Sequence, residues 1–437
     1  MKKLDIYISF KETPIGLIPY NWDLGKLGEL TERIFTGTTP PVNIREYHKY
    51  GVNFIRSQNI FDHYIDSENI VKLNEKSIKA MRSYEIRSGD VLLNITGDGI
   101  TFLRCCKIPD TLLPAYANQS IAIIRTNRNL DSDFLALFLS LTKIKEYMEG
   151  FNSGSARRTL AAKHVQEYLI PIPPENEQKA ISLIFKEIQN RINFNNSMNS
   201  TLESLAQSLF YSWFVRFDPF KDGEFEESEL GKIPNGWKVI ELKNIVSKIS
   251  NQIDPKEISS DTAYLSLGHM PRGSIAIDKY GTAAEVVSNQ LLFKKGDILF
   301  GKLRPYFKKV GIPFQDGICS TDIIVFRAKE NFFGLALMYI SSEKFIEYAV
   351  KISTGTRMPR ADPSSLLKFK VVVPDEKNYI FNFNKTIQKI VDKLYFNIQE
   401  NLLLSSLRNL LLPQLLSGKL RIPNPVKFLE EINGENN

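Results

Sequence analysis

The chain has 437 residues, 43% hydrophobic and 24% charged, with 56 Lys and Arg against 49 Asp and Glu, a net charge of +7 and a pI of about 9.0. That length exceeds one ordinary core, so two or three domains are expected, and the basic excess favours a polyanionic partner. The composition is globular, no stretch approaches the ~18 apolar residues of a membrane helix, and three cysteines, Cys105, Cys106 and Cys319, make no disulfide framework.

The opening MKKLDIYISFKET carries an acid, Asp5, and only a short apolar run, so it reads poorly as a signal peptide. A reducing cytoplasm fits best. Next comes IGLIPYNWDLGKLGEL at 15–30, which returns at 230–245 as LGKIPNGWKVIELKNI, with Gly16, Ile18, Pro19, Trp22 and Leu27 repeated as Gly231, Ile233, Pro234, Trp237 and Leu242. The runs VNFIRS, DVLLNI and SIAIIRT are rich in β-branched and aromatic residues and read as strands, as do DILFG and DIIVFR further on. SGDVLLN at 88–94 is answered by KGDILFG at 295–301, pairing Gly89 and Asp90 with Gly296 and Asp297. DSDFLALFLSLTKIKEYMEG at 131–150 reads as a helix opened by acids and closed by Gly150, and NFFGLALMYISSEKFIEYAVKI at 331–352 is its counterpart. SGSARRTLAAKHVQEYLIPIP at 153–173 is answered by TGTRMPRADPSSLLKFKVVVP at 354–374.

Each half ends in a long amphipathic stretch. Ile188, Ile192, Leu202, Leu205 and Leu209 in the first, and Ile390, Leu394, Leu404, Leu407 and Leu411 in the second, fall mostly at spacings of three and four, with a polar gap around Asn193–Asn199. Continuous helices over 177–213 and 377–412 would each run about 50 Å at ~1.5 Å per residue. Two such stripes can bury each other as an antiparallel pair. Pro413 and Gly418 supply stop signals for the second helix. The expected organisation is a first domain at 13–174, a central helix at 175–216, a linker at 217–229, a second domain at 230–374, a distal helix at 375–418 and a tail at 419–437. The fold class is α/β (α+β), two tandem pseudo-repeated domains with two long helices.

No catalytic constellation emerges. FDPF at 217–220 lacks the second proline of a methyltransferase segment and reads as the turn leaving the first long helix. PDEK at 374–377 reads as a polar helix opening, with acids placed where the helix dipole favours them. TGDGI at 96–100 lacks the GKS or GKT of a phosphate loop, and the four histidines, His48, His63, His164 and His269, are scattered.

With its paired GxIPxxW openings, GDVL and GDIL segments, SGS and TGT loops and long helices, the chain resembles the specificity subunit of type I restriction-modification enzymes over nearly its whole length. The resemblance implies two target recognition domains, held apart by an antiparallel coiled coil, that read the halves of a bipartite DNA site. It implies no catalytic centre or cofactor in this chain, which would direct adenine methylation and restriction by two modification and two restriction subunits using S-adenosylmethionine, ATP and magnesium. Helix length would then set the preferred spacer, and lengthening both helices should lengthen it. The segments 31–83 and 246–290 show little similarity, so an asymmetric target is expected. Two other readings stay open: a specificity subunit of a methyltransferase without a restriction partner, and a duplicated protein scaffold with incidental basic loops.

On that reading the DNA-facing candidates in the first domain are Thr36, Thr38 and Thr39 in TGTT, Arg56, Gln58 and Asn59 in FIRSQNI, and Arg157 and Arg158 in SGSARR. Arg suits guanine, and Gln or Asn suits adenine, through paired hydrogen bonds to one base edge. In the second domain they are Lys302, Arg304, Tyr306, Lys308 and Lys309 in FGKLRPYFKK, with Arg357 and Arg360 in TGTRMPR; the lysines and arginines are cations suited to a phosphate backbone.

Overall fold

The repeated GxIPxxW segment folds alike in both halves because it closes the same kind of corner. In the computed structural model, which describes residues 9–41, 47–48, 50–151 and 158–435, Gly16 and Gly231 have φ of 105° and 95°, each in the turn of a two-stranded hairpin. Trp22 and Trp237 then bury their rings. The described residues form two compact units, one drawn from Met1–Asn190 with Leu404–Asn437, the other from Arg191–Leu403. Each unit therefore includes a stretch of both long helices rather than leaving the helices outside as separate segments.

Within the first unit a four-stranded antiparallel sheet has the order Cys105–Lys107, Val91–Asn94, Ile121–Thr126, Thr31–Thr36. The second unit repeats it as Val310–Gly311, Ile298–Gly301, Ile323–Ala328, Val246–Ile249. A second sheet, four-stranded in the first unit and five-stranded in the second, carries one parallel pair in each copy. Val52–Ile55 lies along Ala115–Ala117 in the first unit, and Ala263–Leu265 along Gly317–Cys319 in the second.

The GDVL and GDIL segments owe their form to the turn and to a buried ion pair. Gly89 and Gly296 have φ of 85° and 83°, outside the range other residues readily adopt. The following aspartates, Asp90 and Asp297, are buried and grip Arg125 and Arg327 through two hydrogen bonds each, at 2.7–2.8 Å. One oxygen of each also accepts a backbone N–H, from Arg87 and Lys294. A desolvated carboxylate is tolerated only when its lone pairs are filled in this way.

The segment expected as one helix at 131–150 is two helices, Ser132–Ser140 and Thr142–Glu149, broken at Leu141, which is extended at φ −62°, ψ 132°. The same break recurs at Ser342, between Phe333–Ser341 and Glu343–Lys351. The apolar first helix of each pair is buried, while the more polar second turns onto the domain surface.

The two long helices span Glu175–Phe210 and Lys377–Leu416. The second continues through Pro413 instead of stopping there. Proline forgoes one backbone bond in a helix, and burial of Leu412, Leu415 and Leu416 in the first unit offsets that loss up to Gly418, whose φ of 68° ends the helix. Inside the second unit the helices run antiparallel. Arg191 pairs with Glu400, Asn195 donates to Glu400 and Asn401, and Asn397 donates to Asn199.

The seam departs from the expected Ile and Leu stripe at two of its positions and includes asparagines. Leu205 and Leu407 are 54% and 45% exposed, whereas Asn195 and Asn397 are fully buried. The inward row in the second unit follows Ile192, Asn195, Asn199, Leu202 and Ala206, with Asn199 and Leu202 half-buried and the others buried, a regular alternation of three and four that leaves Leu205 outside. Ile390 and Leu394 are buried in the same unit, and Leu202 and Leu209 pack on its core. In the first unit Ile188 is buried, Leu404 is half-buried and Leu411 packs on the core. Polar residues in such a seam specify register at some cost in stability.

The C-terminal ends of the helices meet the GxIPxxW corners. Within the first unit, Gly418 lies so close to Pro19 and Trp22 that a Cβ would fall 2.2 Å from Pro19 Cγ. There Glu177 accepts the Trp22 indole N–H at 3.1 Å and pairs with Arg421. Within the second unit, Phe214, Phe217 and Phe220 surround Trp237 at centroid distances of 5.5, 5.5 and 4.9 Å. FDPF is thus an aromatic corner following the first long helix.

Candidate nucleic-acid interface

In the second unit, three chain segments converge where the strand Ile298–Gly301 ends. The loop Lys302–Lys309 leaves that strand, and Lys302 N donates to Asp322 O while Lys302 O accepts from Ala361 N. Arg304 N donates to Pro359 O at 2.8 Å, and the Arg304 guanidinium reaches Arg357 O at 3.4 Å. From the other side, Lys309 Nζ donates to Leu267 O, Gly273 N donates to Lys308 O, and the Arg272 guanidinium stacks on Phe307 at 4.1 Å. FGKLRPYFKK and TGTRMPR, far apart in sequence, thus form one surface with the turn 266–273.

This loop holds two non-glycine residues at positive φ, Arg304 at 52° and Lys308 at 51°. Such conformations cost about 1–3 kcal/mol each and persist only where the surroundings over-determine them, as here through the two flanking segments. Tyr306 is 48% exposed and set edge-on to Phe307. Lys308 and Arg360 are balanced by Glu343 and Asp322, whereas Lys302, Arg304 and Arg357 have no acidic partner among the described residues. Burial holds the Lys309 amine below its ordinary value, with Arg272 adding to the effect. The surface is thus a cluster of cations only partly neutralised from within.

The first unit uses the same scaffold with different contents. Asn94 Nδ2 donates to Ser57 O and Thr101 O, joining the Ile95–Arg104 loop to the turn after Val52–Ile55. Thr96–Gly97 pairs with Arg158–Thr159. Asp98 organises this loop by accepting from Ile100 N, Thr101 N and Thr101 Oγ1, and the bonds from Thr101 hold its carboxyl below the ordinary carboxylate value. TGDGI is therefore an Asp-centred turn with Ile100 exposed at its tip. Arg104 stacks on Phe61 at 4.4 Å.

Among the expected residues, Thr38 N donates to Ala117 O, and Asn118 N donates to Ile55 O, so TGTT and the Arg56 turn share one edge. Gly37 is required there, since a Cβ would lie 2.3 Å from Ala117 O. Thr36 pairs with Ala122 in the sheet, and Thr39 Oγ1 donates to Gln119 Oε1. Gln58 is exposed, and Arg56 is half-buried with Nη2 on Asn69 O. Asn59 requires a correction: it is fully buried, its Oδ1 accepts Arg56 N at 2.9 Å and its Nδ2 donates to Asn69 O, so it shapes the turn and offers no atom to a base. Arg158 is exposed and paired with Glu149 at 2.6 Å. Arg157 lies outside the described residues.

The two copies are also recognised as such by comparison with known proteins. The type I restriction modification DNA specificity domain matches residues 19–204 and 234–404, well over half of the chain. The chain belongs to this specificity-domain family. The type I restriction enzyme MjaIX specificity subunit of Methanocaldococcus jannaschii is 27% identical over 94% of this chain and 96% of its own length. The HindI specificity subunit of Haemophilus influenzae is 22% identical over 79% and 90%. Among solved structures, the S subunit of a type I restriction-modification system from M. genitalium shares the fold, with a TM-score of 0.59, 16% identity and coverage of 95% and 98%.

For a specificity-domain protein, several structurally decisive residues carried too little signal to be found in one sequence. Arg125 and Arg327 bind the aspartates of GDVL and GDIL, and Glu177 and Gln178 hold the start of the first long helix. The arginines do recur at the same place in SIAIIRT and DIIVFR, a repeat that could have marked them. No comparable signal marked Arg272 or the turn 266–269. Among the described residues, no helix is long and apolar enough to cross a membrane, and no cluster of three or more His, Cys, Asp or Glu is arranged to hold a metal.

Proposed function

We propose that the chain is the DNA-specificity subunit of a type I restriction-modification complex, in which each unit reads one half of a bipartite, asymmetric duplex target. The observation that carries this reading is the scaffold built twice around different loops: matching Asp–Arg pairs support a cation-rich loop at Lys302–Lys309 and an Asp-centred one at Ile95–Arg104. Phosphate contacts from Lys302, Arg304, Lys308, Arg357 and Arg360 supply most of the affinity, and selectivity comes from a few side chains at base edges. The chain itself catalyses nothing and binds no cofactor. It directs adenine methylation and restriction by two modification and two restriction subunits, which use S-adenosylmethionine, ATP and magnesium, in the cytoplasm.

Paired partners are supported by a second feature of the helices. Phe194 and Phe396 occupy equivalent positions of the two copies and are 54% and 56% exposed. Each lies under a cation one turn earlier, Arg191 at 5.7 Å and Lys393 at 4.7 Å. Exposed aromatics repeated in this way suit two copies of one partner.

Selection from a random duplex pool, using the chain assembled with its modification partner, tests the function. A split motif with unlike halves and a fixed gap is the expected product. Enrichment without any motif would favour a scaffold with incidental basic loops.

A further inference from the structure

The turns that follow the parallel strand in the two units are the same structure built from different side chains. Ile55 and Leu265 are opposite Ala117 and Cys319 in their parallel pairs, so Arg56 corresponds to Ser266 and Asn59 to His269. In the first unit Asn59 N donates to Arg56 O at 2.8 Å and Arg56 N donates to Asn59 Oδ1 at 2.9 Å. In the second, His269 N donates to Ser266 O at 3.1 Å and Ser266 N donates to His269 Nδ1 at 3.1 Å. The imidazole has taken over the bond that the Asn59 amide makes.

That substitution changes what the turn offers outward. Asn59 spends both ends of its amide inside the unit, the second on Asn69 O. His269 spends only Nδ1. Because Nδ1 accepts a backbone N–H, the ring proton of the neutral imidazole resides on Nε2, which has no acceptor among the described residues. The ring is half-buried and held edge-on against Tyr264, with centroids 5.9 Å apart. Two residues before it, Leu267 O receives the Lys309 amine, and three residues after it Arg272 stacks on Phe307. A single oriented N–H donor therefore stands within the cationic surface of the second unit, where a duplex would be gripped by its phosphates.

We propose that His269 is a specificity-determining residue of the second half-site, donating from Nε2 to an acceptor on a base edge in the major groove. This rests on the DNA-specificity reading above and adds to it the chemistry of one base position. The acceptors available are guanine N7 or O6, adenine N7 and thymine O4, whereas the exocyclic amine of cytosine presents a donor and is rejected. At the equivalent turn of the first unit this task moves to Gln58, because Asn59 is used internally and Gln58 is the exposed residue where the second unit has Gly268.

The test exploits the first unit as a template. His269→Asn restores the acceptor for Ser266 N–H in the way Asn59 serves Arg56 N–H, and it removes the reach of Nε2. With the target of the unaltered complex in hand, duplexes carrying each single-base change in both half-sites are titrated with the full chain and its modification partner. At one position of the second half-site, discrimination is expected to fall about tenfold or more, with every other position and the whole first half-site unchanged. His269→Ala, which also strands the Ser266 N–H, should add a loss of thermal stability to the same change in specificity. Discrimination unchanged at all positions, or a uniform weakening of the second half-site without relaxation at any one, would overturn the assignment while leaving the DNA-specificity reading intact. Absence of any split target for the unaltered complex would overturn both.

Discussion

The loop between the hairpin strands is Ile95–Arg104 in the first unit and Lys302–Lys309 in the second, and the two hang from the same framework. The first carries one cation, Arg104, stacked on Phe61, and an acid, Asp98, at its centre; the second carries Lys302, Arg304, Lys308 and Lys309. A few residues away the units agree side chain for side chain, Asp90 on Arg125 and Asp297 on Arg327. A buried carboxylate beside a left-handed glycine admits few alternatives, whereas a surface loop anchored at both ends accepts many. Duplication therefore repeats the support and leaves each reading surface free to differ.

The largest way to break the comparison is through the shared framework. Asp90→Ala strands Arg125, which is 15% exposed, and should cost about 3–5 kcal/mol in denaturant unfolding. Asp297→Ala should cost less, because Arg327 is 41% exposed and water can replace its partner. Equal losses would mean the frameworks are more alike than their burial indicates.

The helix seam sharpens a second contrast. Leu394→Ala, at a fully buried position, should destabilise by about 2–5 kcal/mol, and Leu205→Ser, at an exposed one, should stay within about 0.5 kcal/mol of the parent. A large loss at Leu205 would return that residue to the pairing surface.

Gln58→Ala addresses the reading surfaces directly. It is expected to relax one position of the first half-site by about 1–3 kcal/mol and to leave the second half-site untouched, measured by competition between single-base variants. Arg304→Ala should instead weaken binding to all duplexes and lower the salt slope by about 1. If both variants acted alike, the division between base contact and phosphate contact would fail.

The last contrast concerns pH. Burial, with Arg408 and then Lys145 adding to it against the opposing Asp62, lowers the His63 imidazole to about 4 from its ordinary 6.5. The unfolded chain takes up this proton near pH 6.5 and the folded chain only near 4. Stability of the first unit should therefore fall as pH drops through that window and be insensitive to this group above it. His63→Asn, which suits the local φ of 73°, should flatten the melting-temperature profile between those limits. A profile identical to the parent would remove His63 as its source.

Much of the fold was legible because the chain states it twice. Strands at DVLLNI, SIAIIRT, DILFG and DIIVFR, the long helices and the repeat order all follow from periodicity and matched glycines, prolines and tryptophans. The seam was not, because Asn195, Asn199, Asn397 and Asn401 occupy its positions and an apolar pattern cannot register them. The breaks at Leu141 and Ser342 were hidden too, since neither residue is a helix terminator by type. At the interface, composition pointed to the cationic loop of the second unit. It misassigned Asn59, whose burial depends on Asn69 ten residues away, and it missed His269, whose role depends on a backbone N–H only the fold supplies.

The most direct test of the central claim is a genome-wide methylation map of cells carrying this chain with its native modification partner, compared with cells from which the chain alone is deleted. The account predicts one split motif with unlike halves and a constant spacer, methylated in the first and absent in the second. Identical maps, in cells where the modification partner is active, would contradict it.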